Sequence, residues 1–470
     1  MKSKHDYSKE NTEYQMKMHL HFIAIGGSAM HSLALAMNHL GHKVSGSDDA
    51  VFDPSKKNLE AVGLLPEKMG WFPEKITSEI DVVVLGMHAK KDNPELLKAQ
   101  ELGLLIQSYP EFLAARSEEK TRVVIAGSHG KTTITSMILH VLQYHDVETD
   151  FMVGAPLSNR KETLSISEDN DFILLEGDEY LSSPMDLRPK FLWYHPEIAL
   201  ISGIAWDHVN VFPTFENYVQ QFDSFITSIQ AGGVLIYNEE DEVLKKLVEG
   251  HTHPIKKIAY QTPAHFIDQG TTYLETLEGS LPLSVFGTHN LLNLSGAQWI
   301  AQLMGVDPSA FYEAIPSFTG ASKRLERLAK GDTALLFKDF AHAPSKVKAT
   351  AIAVIKQFSE HRIVLCLELH TYSSLDPKFI EQYAHTLDQA DEALVFYDPD
   401  ALKIKNREPI APETIQQAFA QPSLEVFTDA KTLSDEVLQK EYSNTVLVMM
   451  SSGSFGGLDW EVLKTRVLAF

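Results

Sequence analysis

The stretch "VVIAGSHGKTTITSMILHVL", residues 123–142, limits the possible folds more than any other part of the chain. An apolar run with strand character stops at Gly127, a second glycine follows at Gly130, and Lys131, Thr132 and Thr133 open a segment with apolar residues at helical spacing. Strand, glycine turn and helix in that order gather backbone N–H groups and the positive end of a helix dipole at one sheet edge. Gly127 and Gly130, with Ser128 and His129 between them, let the backbone close around an anion. Lys131 supplies a point charge for terminal phosphates, and the Thr132 hydroxyl suits Mg²⁺. In the common G-x-x-x-x-G-K-[ST] form the first glycine would fall at 125, which here is Ile125, so the loop is shorter. A capped helix with an incidental lysine is the alternative; G-K-T-T at a strand-to-helix junction favours phosphate.

A second glycine turn lies upstream, in "LHFIAIGGSAMHSLALAMNHLGHKVSGSD", which has the pattern of one β-α-β unit ending at Ser47 and Asp48. Its loop, Gly26, Gly27, Ser28, Ala29 and Met30, lacks full G-x-G-x-x-G spacing. A pyrophosphate-binding helix start and a plain tight turn both remain open.

Phosphoryl transfer needs a cation and carboxylates beside the phosphate. Glu176 ends the apolar run "FILLE", so it should emerge at the same sheet edge as the phosphate loop, with Asp178 and Glu179 nearby. Asp207 and His208 end the run "IALISGIAWDH". Thr132, Glu176 and His208 form the expected Mg²⁺ set, although histidine is a less usual ligand for so hard a cation. A helix cap or a surface pair is the plainer role for Asp207 and His208.

At 470 residues the chain exceeds what one core supports, and three domains are expected. Residues 1–18 read as a disordered leader without a secretory apolar stretch. The segments 19–118, 119–322 and 323–470 each alternate strand-like runs with helical patterns, indicating an α/β fold with mainly parallel sheets. The first and third segments are expected to be Rossmann-like and the second P-loop ATPase-like, with a small antiparallel patch between about 255 and 286. No apolar run reaches the eighteen residues of a membrane span. Acidic residues outnumber basic ones 63 to 41, so the mean surface field repels nucleic acid. The single cysteine, Cys366, rules out an internal disulfide and fits a cytoplasmic location.

Six motifs in order, "GSHGKTT", "EGDEY", "DH" at 207, "GTHNLLN", "KRLE" and "KDFAHAP", resemble the Mur ligases, the ATP-dependent amide-forming enzymes of peptidoglycan assembly. The likeness runs from about residue 19 to 457. It implies that Lys131, Glu176 and His208 are catalytic. It also implies that ATP lies against Gly127 to Thr133, with His289 and Asn293 at the adenine and with Arg324, Asp339 and His342 approaching from the third domain. Gly26 to Met30, Ser47 and Asp48 would meet the UDP part of an acceptor. UDP-N-acetylmuramate is the implied acceptor, and the protein would act as a monomer or dimer. "MDLRPKFLWYHPEIALISGIAWDHVNVFP", "DFAHAP" and "MSSGSFGG" favour the tripeptide L-alanyl-γ-D-glutamyl-meso-diaminopimelate as the amine, in peptidoglycan recycling; L-alanine, in peptidoglycan synthesis, is the competitor.

The chain departs from the family pattern at Gly203, Ala205, Lys338 and Ala343. No lysine that could be carbamylated occurs between His208 and Lys245. Two other classes explain parts of the sequence. A dinucleotide-dependent oxidoreductase accounts for the first loop alone, and a nucleotide-dependent switch protein for the second alone.

Overall fold

The computed structural model describes residues 17–87, 89–154, 162–207, 211–321, 324–404 and 410–470. Residues 1–16 of the expected leader and the expected metal ligand His208 lie outside them. The chain divides into two compact units, one of residues up to Arg116 together with Leu181–Arg188, the other of Ser117–Tyr180 and Pro189–Phe470. The expected divide near 322 therefore falls inside the second unit. Among the described residues no helix is long and apolar enough to cross a membrane.

In the first unit, strands β1 (His19–Ile23), β2 (Lys43–Ser47), β3 (Val82–Leu85) and β4 (Leu105–Ser108) form a parallel sheet in the order β2-β1-β3-β4. The short apolar run of β3 is buried at every position, as parallel strands covered on both faces require. The helix Ser28–His39 follows β1 directly and buries Met30, Leu33, Ala34 and Met37 at helical spacing. A polar cluster is buried between β1 and the helix Pro94–Glu101. His21 meets Ser45 Oγ at 2.9 Å and Glu95 Oε2 at 3.1 Å, and the other Glu95 oxygen accepts from the Phe72 N–H.

The second unit carries two large sheets. The first comprises β5 (Thr121–Ala126), β6 (Asp150–Met152), β7 (Leu164–Ser165), β8 (Phe172–Glu176), β9 (Ile198–Ile201), β10 (Val234–Asn238) and β11 (Lys256–Tyr260). Their order is β11-β10-β9-β5-β8-β6-β7, parallel except for β7. After β5 the chain passes out to β6 and β7, returns to β8 beside β5, then crosses to β9 on the other side. That reversal leaves a crevice at the carboxyl end of β5, where open α/β sheets place ligands. The helix Lys131–Tyr144 fixes the loop there. Its Ile134, Met137, Ile138, Val141 and Leu142 are at most 1% exposed, and each contributes roughly 1.5–3 kcal/mol of burial. A three-stranded antiparallel sheet, β12 (His265–Asp268), β13 (Thr271–Thr276) and β14 (Gly279–Leu283), precedes the helix Thr288–Leu303.

The last sheet comprises β15 (Glu326–Lys330), β16 (Ala334–Asp339), β17 (Arg362–Glu368), β18 (Glu392–Phe396), β19 (Glu425–Phe427) and β20 (Thr445–Met450). Its order is β15-β16-β20-β17-β18-β19, with only β15 antiparallel. Apolar clusters cover both faces, Phe337, Leu365 and Val448 on one and Leu336, Val364 and Leu447 on the other. Adjacent residues of one strand thus serve opposite faces.

Candidate active site

Backbone geometry at the phosphate loop explains its glycines. Gly127 and Gly130 have φ of 125° and 82°; a Cβ at Gly127 would lie 2.1 Å from Ser202 Oγ, and one at Gly130 2.3 Å from Asn293 Oδ1. A side chain at Gly127 would also meet the Ser202 backbone, one at Gly130 would have to displace the Asn293 amide, and both φ values are ones glycine adopts most readily. Gly130 also stands at the N-cap of the helix that begins with Lys131, so the helix's unsatisfied N–H groups open at the loop.

Lys131 Nζ donates to the Gly127 carbonyl at 2.6 Å and to Glu179 Oε2 at 2.7 Å. Burial would push this ammonium down, but Glu179, Asp178 and Glu176 outweigh it and raise its pKa. Glu179 is itself 1% exposed, and its other oxygen accepts from the Tyr218 hydroxyl, which meets Ser128 Oγ at 2.8 Å. Beside it Asp178 pairs with Lys190 at 2.6 Å. Burial would raise the Asp178 pKa, but Lys190 and Lys131 hold it below the usual carboxylate range.

Thr132 Oγ1 donates to Glu176 Oε1 at 2.9 Å, while Glu176 Oε2 accepts from the Gly154 N–H. A hydroxyl and a carboxylate in contact offer the oxygen donors a hard divalent cation prefers, so these residues fit Mg²⁺. His208, the third expected ligand, is outside the described residues. Among the described residues no group of three His, Cys, Asp or Glu side chains could hold a metal ion.

These residues line a cavity of about 370 Å³ that also draws on the last sheet. Ser128, His129, Gly130, Lys131, Thr132, Thr133 and Glu176 form one wall, and His289, Asn293, Arg324 and Asp339 complete it from elsewhere in the unit. Asp339 accepts from the Leu325 N–H at 3.2 Å and from the Thr350 hydroxyl. Arg324 lies over the Phe340 ring, 4.9 Å from its centroid. Burial lowers the His289 pKa and Asp339 partly offsets it. A larger cleft of about 1180 Å³ shares Thr133, Asn290 and Arg324 with the cavity.

His342 is not on the lining. Its Nδ1 meets the Phe340 carbonyl at 2.7 Å, and burial, followed by Lys346, lowers its pKa to about 4. Two of the departures from the family pattern are on the lining, Gly203 and Ala205; the Gly203 carbonyl accepts from the Ser128 N–H and the Ala205 N–H donates to Ser128 Oγ. Lys338 is absent from the lining. It alternates with Asp339 along β16, and its ammonium sits 3.9 Å from the Trp460 ring centroid. Ala343 caps the helix Pro344–Gln357.

Sequence reasoning missed four residues here. Tyr218 links Ser128 to Glu179. Asp241 N-caps the helix Glu242–Gly250 and accepts from the Ile204 N–H at 2.6 Å. His129 Nε2 meets Ser345 Oγ at 2.7 Å, and Lys346 lies 3.7 Å from Asp207. Burial, then Lys346, lowers the His129 pKa to about 3, so the ring is neutral. A signal for the last pair existed: Pro344 opens a helix just after Asp339, so residues 345 and 346 had to lie at the same strand end.

In the first unit, Ser28 and Ala29 are exposed at the helix start and Met30 is buried. Asp48 is turned to a structural task, its Oδ2 accepting from the Gly26 N–H at 2.7 Å. Burial raises the Asp48 pKa despite that bond. The Ser47 carbonyl accepts from the N–H groups of Ala24 and Ile25, and Gly27 caps the helix.

The sequence pattern described as the Mur ligase family catalytic domain matches residues 19–121, and that of the Mur ligase middle domain matches 125–301. The UDP-N-acetylmuramate–L-alanine ligase of Carboxydothermus hydrogenoformans is 30% identical over 387 residues, 80% of this chain and 81% of that protein. The solved murein peptide ligase of Psychrobacter arcticus superposes with a TM-score of 0.64 at 24% identity, covering 96% of this chain and 99% of that one. The UDP-N-acetylmuramate:L-alanyl-γ-D-glutamyl-meso-diaminopimelate ligase of Neisseria meningitides gives 0.57 at 25% identity, over 64% of this chain and 98% of that one. On likeness across four-fifths of its length, the chain belongs to the Mur ligase family, the ATP-dependent ligases that form carbon–nitrogen bonds.

Proposed function

We propose that this ligase joins the lactyl carboxylate of UDP-N-acetylmuramate to the amine of L-alanyl-γ-D-glutamyl-meso-diaminopimelate through an acyl phosphate. The observation that carries this reading is a single cavity holding Lys131, Thr132 and Glu176 beside Arg324 and Asp339. A carboxylate oxygen bonds to the γ-phosphorus of ATP, and the bond from that phosphorus to the β-bridging oxygen breaks, releasing ADP. The amine then adds to the acyl carbon, and phosphate leaves from the tetrahedral intermediate. Two anions repel in water, so Lys131 at the mouth of a helix N-terminus has an identifiable task, to hold the phosphates and offset their charge. Glu179 keeps that ammonium protonated and in place. Thr132 and Glu176 would hold Mg²⁺, with His208 as the expected third ligand; the ion supplies charge neutralisation at the phosphates. His289 and Asn293 would face the base, and Gly26 to Met30 with Ser47 would receive the uridine diphosphate, with Asp48 buttressing the Gly26 turn. The acyl phosphate would have to be shielded from water, which would otherwise hydrolyse it.

The tripeptide reading rests on the stretch 185–213 and the two C-terminal motifs, and the Neisseria relative supports it. A second reading, L-alanine as the amine, is favoured by the Carboxydothermus relative. Purified protein with ATP, Mg²⁺ and UDP-N-acetylmuramate, offered L-alanine, L-serine, glycine or the tripeptide in turn, separates the two by the mass of the UDP product. Product with the tripeptide alone is expected; product with L-alanine and none with the tripeptide selects the second reading.

A further inference from the structure

Lys346 occupies a position that no motif and no expected site residue explains. It is the third residue of the helix Pro344–Gln357, within the first turn, where the helix dipole disfavours a cation. It lines the same small cavity as Lys131 and Arg324; burial first, then those two cations, lower its pKa, while Asp207 and Glu179 work to raise it. Its ion pair with Asp207, at 3.7 Å, is longer than a hydrogen bond. Among the described residues no acceptor lies within hydrogen-bonding distance of its ammonium. The contrast with Lys131 is direct, since that ammonium donates to two oxygens at 2.6 and 2.7 Å. The other lining acids are also engaged: Glu176 by Thr132 and Gly154, Asp339 by Leu325 and Thr350, Asp241 by its cap bonds.

Its placement is fixed from the phosphate side. The neighbouring residue, Ser345, meets His129 of the phosphate loop at 2.7 Å, so this helix start is tied to the loop itself. An ammonium whose donors are unused among the described residues, held over the loop by a helix from the other large sheet of the same unit, has the arrangement of a cation supplied to a transferring phosphoryl group.

We propose that Lys346 is a catalytic residue whose ammonium contacts the γ-phosphoryl group of ATP during its transfer to the carboxylate. The inference rests on the nucleotide reading of the cavity. Lys346 stays protonated throughout; the new bond joins carboxylate oxygen to phosphorus, the broken bond leaves its electron pair on ADP, and the lysine offsets charge on the phosphoryl oxygens in between.

The test compares wild type, Lys346→Gln and Lys346→Arg in two measurements. Calorimetric titration with Mg²⁺ and either ADP or a non-hydrolysable ATP analogue reads ground-state contact, and steady-state phosphate release reads kcat. Lys346→Gln is expected to lower kcat by about 100-fold, the scale for losing one preorganised charge-stabilising donor. It should weaken the ATP analogue several-fold more than ADP, with Lys346→Arg recovering part of both losses. Equal weakening of analogue and ADP, or kcat within twofold of wild type, overturns the proposal while leaving the nucleotide site in place. Failure of wild type to bind either nucleotide overturns the nucleotide reading and this inference with it.

Discussion

At the scale of single residues, Lys131 carries two duties. Its side chain, 13% exposed, neutralises Glu179, 1% exposed, so deleting it removes the proposed phosphate ligand and also takes the cation from a buried carboxylate. Breaking such a pair from one side costs about 3–5 kcal/mol. Lys131→Met should therefore abolish phosphate release and also lower the melting temperature. Lys131→Met combined with Glu179→Gln should regain most of the lost stability and none of the activity. Thermal melts beside a phosphate assay decide the matter; a single variant that melts with wild type contradicts the coupling. Gly130→Ala tests the loop's shape. At φ 82°, with Asn293 Oδ1 2.3 Å from the new methyl, it should cost about 1–3 kcal/mol and abolish nucleotide binding. Asn293→Ala in the same chain should relieve the clash but not the backbone strain, a difference visible in denaturant melts.

At the scale of elements, the buried central strands are legible because each is a short apolar run ending in polar residues. β8 ends at Glu176 and β16 at Asp339, as their sequences indicate. The short strands β6, β7 and β19 carry too few residues for any period to show. β15 was hidden differently: three of the five residues of "ERLAK" are charged and the strand is bulged between Arg327 and Ala329, so it reads as a linker. Alternation along β16 shows why a sequence departure at Lys338 leaves the cavity untouched, a fact that motif comparison alone does not contain.

The same scale governs the response to acid. His129, at the loop, and His342, after β16, have folded pKa values of about 3 and about 4, below the unfolded value near 6.5, because burial disfavours the imidazolium. Between those limits the unfolded chain binds more protons than the folded one, so stability is full above about pH 6.5 and falls as pH drops toward 4. Melting temperatures measured from pH 7 to 4.5 should fall, and His129→Gln should flatten that slope. An unchanged slope in the variant contradicts a neutral His129.

At the scale of the whole molecule, the candidate site is assembled from the carboxyl ends of β5, β8, β9 and β16 and from the helices Thr288–Leu303 and Pro344–Gln357. Its central residues, Lys131, Thr132 and Glu176, were legible because loop, strand end and chemistry coincide in short stretches. Tyr218, Asp241, Ser345 and Lys346 were not, because their roles come from packing between distant segments. The bond from His129 to Ser345 and the pair Asp207–Lys346 join the two large sheets across the cavity. A ligand bound there stabilises both at once. ADP at about 100 times its Kd should add about 2.7 kcal/mol to unfolding of the folded unit, shifting its melting transition upward. A melting curve indifferent to ADP places the nucleotide elsewhere.

The central claim is that the phosphate loop's lysine lets one anion attack another, so that a carboxylate oxygen becomes a phosphate oxygen. Ligation run with UDP-N-acetylmuramate labelled with ¹⁸O in its lactyl carboxylate reports this directly, by mass spectrometry of the released phosphate. One ¹⁸O atom in the phosphate for each amide formed is the predicted result; amide formation with unlabelled phosphate contradicts the account.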